Sequence, residues 1–241
     1  MNLREPQLND SWKKQVEYLA HLSARIIMWG LVLWMVFWIY DAVGNNRYAS
    51  RIYLDKQDQY DVIAFGDSLV EGLGSEDLVG FVGRLEQQFG IIIYNAGHRR
   101  DKTADLLKRL DTDVLVYHPK IVVVVIGGND AVRLVPESEM LANVEELFLR
   151  LTEAGVSVIF GEVTDNVLYK QRNTQLRLLA EKYGVHYIPG LMDNVFWTIS
   201  NKFDPLHPDD KGYQLITDRI APVLRQAIQE KGIVITESAK P

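Results

Sequence analysis

Apolar residues in this chain follow two patterns. Near the amino terminus they run without interruption. Farther along, short apolar blocks alternate with segments in which apolar positions recur every three or four residues. The uninterrupted run covers residues 26–40, IIMWGLVLWMVFWIY, fifteen uncharged residues between Arg25 and Asp41. Eight of them are Ile, Leu, Val or Phe, each favouring membrane insertion by about 0.3–0.6 kcal/mol at a helix centre. The run is shorter than the roughly 20 residues of a full span. Arg25 can snorkel at one end, and Ala42, Val43 and Gly44 extend the other. No polar face recurs at helical spacing, which argues against a buried core helix. Ala42-Val43-Gly44 would serve a signal-peptide cleavage, yet the 25 residues before the run make a long leading region. The expectation is an uncleaved, single-pass anchor over residues 26–44, with a tail at 1–25 and a linker at 45–60. Arg4, Lys13, Lys14 and Arg25 precede the run, and Arg47, Arg51 and Lys56 follow it. This bias places the amino terminus inside and the main domain outside the cytoplasmic membrane.

From residue 61 the alternation is regular. Residues 62–65 form a short apolar block ending at Gly66, read as a strand. Leu78, Phe81, Val82, Leu85 and Phe89 recur at helical spacing, and Gly90 caps them. Residues 91–94 predict a second strand, and 103–110 a short helix with Thr103 as its N-cap. The β-branched run IVVVVI at 121–126 has the character of a strand buried on both faces. Leu141, Val144, Leu147, Phe148 and Leu151 make a helical face closed by Gly155. Strands at 156–160 and 185–188 flank a more polar helix at 167–183. A last helix covers 210–231, with a kink expected at Pro222. Five strands alternating with helices imply an α/β fold, a parallel five-stranded sheet covered on both faces in a three-layer α/β/α arrangement. The flavodoxin-like strand order 2-1-3-4-5 fits, in a domain over residues 61–232 with a short tail at 233–241. Ligands then bind at the carboxyl ends of the strands, where strands one and three diverge.

Composition narrows the chemistry. The chain has 241 residues, of which 47% are hydrophobic and 24% charged, ordinary for a globular protein. Its net charge of −6 argues against a dedicated nucleic-acid binder. With no cysteine, thiolate metal sites, iron–sulfur clusters and a Cys nucleophile are excluded. No HExxH, Walker loop or dinucleotide fingerprint occurs, so no metal and no cofactor is expected.

Polar residues gather where the strands end. The first strand runs into GDSLVEG at 66–72, which puts Ser68 at a tight turn. The second runs into NAGH at 95–98, where Gly97 allows close approach of backbone to a ligand. The third runs into GGND at 127–130 and brings Asn129 to the same edge. Before the last helix stands DPLHPDD at 204–210, with Asp204 and His207 three residues apart. Each of these alone reads as a turn residue, a cap or an ordinary polar loop. Together they meet at one sheet edge, and Ser, Asp, His is a known triad order. No GxSxG elbow is present.

These four blocks, GDS at 66–68, NAG at 95–97, GGND at 127–130 and DPLHP at 204–208, stand in the order of the SGNH (GDSL-type) hydrolases. The chain resembles that family over about residues 61–230. IGGNDAVR and HPDDKGY are similar to blocks of its bacterial arylesterase and thioesterase/lysophospholipase branch. The resemblance implies ester hydrolysis through an acyl-enzyme. Ser68 would be the nucleophile, His207 its general base, and Asp204 the group that orients the imidazole. Backbone N–H groups of Ser68 and Gly97 and the Asn129 side chain would form the oxyanion hole. The stretch HRRDKT at 98–103 departs from the family, whose members often carry a Gly shortly before the Thr. Arg99, Arg100 and Lys102 there read either as contacts for an anionic headgroup or acidic glycan, or as a solvated loop. Asp67 and Asp130 are expected to make structural hydrogen bonds. His98 and His118 are not assigned to catalysis. The substrate partner expected is a small-molecule, lipid or glycan ester. Acyl transfer to an envelope glycan, or a catalytically silent binding module, are the competing readings.

Overall fold

A computed structural model describes residues 15–25, 27–32, 34–35, 59–163, 169–195 and 198–235. The chain divides into two compact units, Met1–Lys56 and Gln57–Pro241. In the first, the described residues are helical, and Ile27, Trp29, Leu31 and Trp34 are exposed. Among the described residues no helix is long and apolar enough to cross a membrane. Much of the expected anchor (Ile26, Leu33 and residues 36–44) lies outside the described residues, as does the linker up to residue 58.

The second unit is the expected α/β sandwich. Its elements are β1 (Val62–Gly66), α1 (Ser68–Glu71), α2 (Gly80–Phe89), β2 (Ile93–Gly97), α3 (Thr103–Asp113), β3 (Ile121–Ile126), α4 (Gly128–Val132), α5 (Glu137–Glu153), β4 (Ser157–Glu162), α6 (Lys170–Tyr183), β5 (His186–Ile188) and α7 (Asp210–Glu230). The strand order is β2-β1-β3-β4-β5, every pair parallel.

Alternation along the strands makes two cores. Val62 and Ala64 of β1, with Ile121, Val123 and Val125 of β3, face α2 and α7 through Phe81, Leu85, Tyr213, Ile216 and Ile220. Ile63 and Phe65, with Val122, Val124 and Ile126, face α3, α5 and α6 through Leu106, Leu110, Val144, Phe148 and Leu176. All six residues of β3 are buried, so this strand is apolar throughout and not alternating.

The sheet unit is somewhat longer than the sequence reading has it. Tyr60, assigned there to a linker, is buried and stacks on Tyr94 at a ring separation of 4.7 Å. Ile233 and Ile235, assigned to a tail, pack against the α2–α7 core. Pro222 lies inside a continuous α7; it sits where the helix is already fixed by buried Ile220, Ala221 and Leu224.

Candidate active site

The site is built where β1, β2 and β3 end. Gly66 closes β1 directly against β3, and a Cβ there would lie 2.0 Å from the Val125 carbonyl oxygen. Only glycine lets the two strands stay paired at this point. Asp67 then caps α1, its Oδ1 accepting the Leu69 N–H at 3.0 Å. Ser68 becomes the first residue of α1, with an N–H that has no partner inside the helix. Gly97 ends β2 opposite Gly66 in register. A Cβ on it would meet the Glu71 nitrogen at 2.3 Å, so β2 packs onto the backbone of α1.

His207 approaches from the loop before α7. Ser68 Oγ lies 2.9 Å from His207 Nε2, and His207 Nδ1 lies 2.8 Å from Asp204 Oδ2. The second oxygen, Asp204 Oδ1, accepts the backbone N–H groups of Leu206 at 2.7 Å and His207 at 2.8 Å. Burial pushes the Asp204 carboxyl up, but its hydrogen bonds from the His207 ring, Leu206 and the His207 backbone outweigh this and hold it below the usual carboxylate range. An ionised Asp204 can only accept, so the proton sits on Nδ1 and Nε2 presents a lone pair to the Ser68 hydroxyl. Phe203 N–H donates to the His207 carbonyl at 3.0 Å, which closes the loop on itself.

The amide side of the site is a network. Asn129, on α4, donates from Nδ2 to the Asp101 carbonyl at 3.0 Å and to Asp67 Oδ2 at 3.2 Å. Gly97 N–H donates to Asn95 Oδ1 at 3.0 Å, and Asn95 Nδ2 donates to the Val70 carbonyl at 2.8 Å. Asp67 is fully buried. That desolvation pushes its carboxyl up to about 7, against the pull of the Leu69 N–H and of His207 and with a further push from Asp101 and Asp130.

The structure thus brings Ser68, Asp204 and His207 into hydrogen-bonded sequence and holds Gly97 and Asn129 in a network at the same strand ends. Asp67 and Asp130 bond structurally, as the sequence suggests. Thr103, expected to be an N-cap, is instead the first residue of α3; its N–H and hydroxyl both donate to the buried Asp130, at 3.1 and 2.7 Å. The Asp105 carboxylate takes the Lys102 N–H and does the capping. Of the basic stretch, Arg99 forms a bidentate ion pair with the buried Glu71, which accounts for it without a bound anion. Sequence reasoning misses Glu71, Asp101 and Arg109, because nothing local to them marks their long-range partners; Asn95 stands in the NAG block with no role assigned to it.

A family model, GDSL-like Lipase/Acylhydrolase family, matches residues 64–215, the segment that carries Ser68, the strand ends and His207. The chain belongs to this family. It is accordingly an ester-hydrolysing enzyme of the GDSL/SGNH class. Solved structures agree on the fold. TesA superposes with a TM-score of 0.64 at 19% identity, over 69% of this chain and 98% of TesA. The psychrotrophic esterase EstA from Pseudoalteromonas sp. gives a TM-score of 0.63 at 22% identity, over 72% and 100%. Axe2, an acetyl-xylooligosaccharide esterase from Geobacillus, gives 0.57 at 18% identity, over 77% and 100%. Among curated proteins nothing matches.

Proposed function

We propose that this GDSL-family chain is a serine esterase in which Ser68, His207 and Asp204 form the catalytic triad. The observation that carries the reading is the unbroken hydrogen-bonded path from Ser68 Oγ through His207 to Asp204. His207 takes the Ser68 proton as Oγ attacks the ester carbonyl, and Asp204 stabilises the imidazolium that results. The oxyanion is held by the N–H groups of Ser68 and Gly97 and by Asn129 Nδ2. The Gly97 N–H now donates to Asn95 Oδ1, and Asn129 Nδ2 to the Asp101 carbonyl and Asp67 Oδ2, so these hydrogens are shared with, or turned toward, the oxyanion as it forms. His207 returns the proton to the leaving alcohol, and water then hydrolyses the acyl-enzyme by the same path. The EstA structure was obtained inhibited by monoethylphosphonate; a phosphonate is the natural probe of the same serine here.

The test is turnover of p-nitrophenyl esters, acetyl to palmitoyl, by the full 241-residue chain and its Ser68→Ala variant. Turnover that depends on Ser68 supports the reading, and the preferred chain length tells a deacetylase from a lysophospholipase-like or arylesterase-like enzyme. A folded wild-type chain that labels with a phosphonate but releases no acid points to acyl transfer. One that neither labels nor turns over is a silent binding module.

The proposal extends to location. Residues 26–44 anchor the enzyme in a membrane with the catalytic unit on its outer side. Fifteen consecutive uncharged residues and the exposure of Trp29, Leu31 and Trp34 support this. Extraction of membranes with alkaline carbonate checks it: the chain should stay in the pellet, and its release into the supernatant counts against an anchor.

A further inference from the structure

Arg109 lies one helical stretch away from the residues so far assigned, on α3, yet its guanidinium reaches the ends of two strands. Nη2 donates to the Gly66 carbonyl at 2.8 Å and Nη1 to the Ala96 carbonyl at 2.9 Å. Nε donates to Asp101 Oδ2 at 2.7 Å, and Nη1 also reaches Asp113 Oδ2 at 3.0 Å. The guanidinium carbon sits 4.5 Å from the centre of the Phe65 ring. The side chain is 13% exposed, so these bonds are sheltered from water.

The partners are not arbitrary. The Ala96 carbonyl and the Gly97 N–H are two ends of one planar trans peptide. Holding the oxygen fixes the direction in which the N–H points. The Gly66 carbonyl belongs to the peptide immediately before the one that carries the Ser68 N–H. Asp101, gripped through its carboxylate, offers the main-chain oxygen that accepts from Asn129 Nδ2 at 3.0 Å. One side chain therefore touches the two strand ends that lead to the Ser68 and Gly97 donors, and it grips Asp101, whose carbonyl holds the third donor, Asn129. A lysine could not do this, because a single ammonium on a flexible stem lacks the planar fork that reaches three acceptors at once.

Resting on the serine-esterase reading above, we infer that Arg109 is the positioning residue of the oxyanion hole. It aligns the Gly97 N–H directly, the Ser68 N–H through Gly66, and the Asn129 amide through Asp101, and it never contacts substrate. Donors that drift from the developing oxyanion lose transition-state stabilisation and leave ground-state binding alone.

The experiment uses the full chain as wild type, Arg109→Lys, Arg109→Gln and Asp113→Asn. Active sites are titrated to completion with a fluorophosphonate, so that kcat counts only folded, labelled molecules even where a variant is partly unfolded. For Arg109→Lys and Arg109→Gln, kcat per labelled site should fall at least about tenfold with KM within about twofold. Affinity for a trifluoromethyl ketone, which forms a tetrahedral adduct, should fall by a similar factor. Asp113→Asn removes only the outer partner of the same guanidinium, and its kcat should stay within about twofold of wild type. Arg109 variants whose kcat per labelled site matches wild type overturn the inference and leave Arg109 a residue of stability alone. A Ser68→Ala chain that still labels, or a wild type that does not, overturns instead the serine-esterase reading beneath it.

Discussion

The two sides of the proposed active site are built by different means. The base side, Asp204 and His207, comes from one short loop. The residues are three apart, and the carboxylate that orients the ring also pins the loop's own backbone through Leu206 and His207. The oxyanion side comes from three separate segments, at the ends of β1, β2 and β3. Asn129 is held by bonds to Asp67 across 62 positions and to Asp101 across 28. A local device tolerates movement of its surroundings, whereas a distributed one depends on the register of the sheet. The two sides should therefore respond differently to substitution.

The largest effect is expected on the base side. Asp204→Asn leaves the size of the group unchanged but turns one acceptor into a donor, favouring the wrong tautomer of His207. A loss of about 10⁴ in kcat is predicted, on the scale of the equivalent change in other triads. Because the loop keeps most of its backbone bonds, thermal stability should hardly move. A large drop in melting temperature together with a small drop in kcat would show that Asp204 is there for the loop and not for the imidazole. On the oxyanion side, Asn129→Ala removes one donor. It should cost about 10²–10³ in kcat with KM little changed. Here stability should fall as well, because Asp67 Oδ2 is left buried without its amide partner. Kinetics and urea unfolding of the same preparation check both halves, and an unchanged kcat would remove Asn129 from the hole.

A smaller effect separates the sides by pH. Asp67 is pushed up to about 7 in the folded chain, chiefly by burial, while an unfolded Asp titrates near 3.9. Between those values the folded state holds a proton that the unfolded state has released, so unfolding releases a proton. Stability from this group thus falls as pH rises from about 4 to about 7, by at most about 1.4 kcal/mol per pH unit. Asp204 behaves oppositely. Its carboxyl is held low, so its contribution is complete above its unfolded value, is lost as pH falls below that value, and is constant from pH 5 upward. Urea unfolding of wild type and Asp67→Asn from pH 5 to 7.5 should show the wild type losing stability relative to the variant. Parallel curves would mean that Asp67 is ionised throughout.

The same division explains what could be read from the sequence. The parallel sheet and its order follow from the blocks at 62–65 and 121–126 and the helical faces between strands. The base side is legible as a spacing, since Asp204 and His207 stand three residues apart, close enough for the carboxylate to orient the ring. Gly97 and Asn129 stand out at strand ends, in NAG and GGND, but each alone reads as a turn residue, and their oxyanion role comes from the resemblance to the SGNH hydrolases. What holds them was hidden. Arg109 looks like any charged residue on an amphipathic helix until its carbonyl partners on β1 and β2 are known. Thr103 fits an N-cap by type, and Asp130, 27 residues away, competes for its hydroxyl and wins. Tyr60 reads as linker because the residues before it are polar, although Tyr94 and Tyr117 bury it.

The proposed role of Ser68 as a nucleophile made reactive by His207 is tested by the mass of the full chain after reaction with a fluorophosphonate, followed by mapping of the labelled peptide. One adduct on Ser68, absent from Ser68→Ala and formed far more slowly by His207→Ala, is the result the geometry predicts. A folded chain that carries no adduct on Ser68, or carries it on another residue, would contradict it.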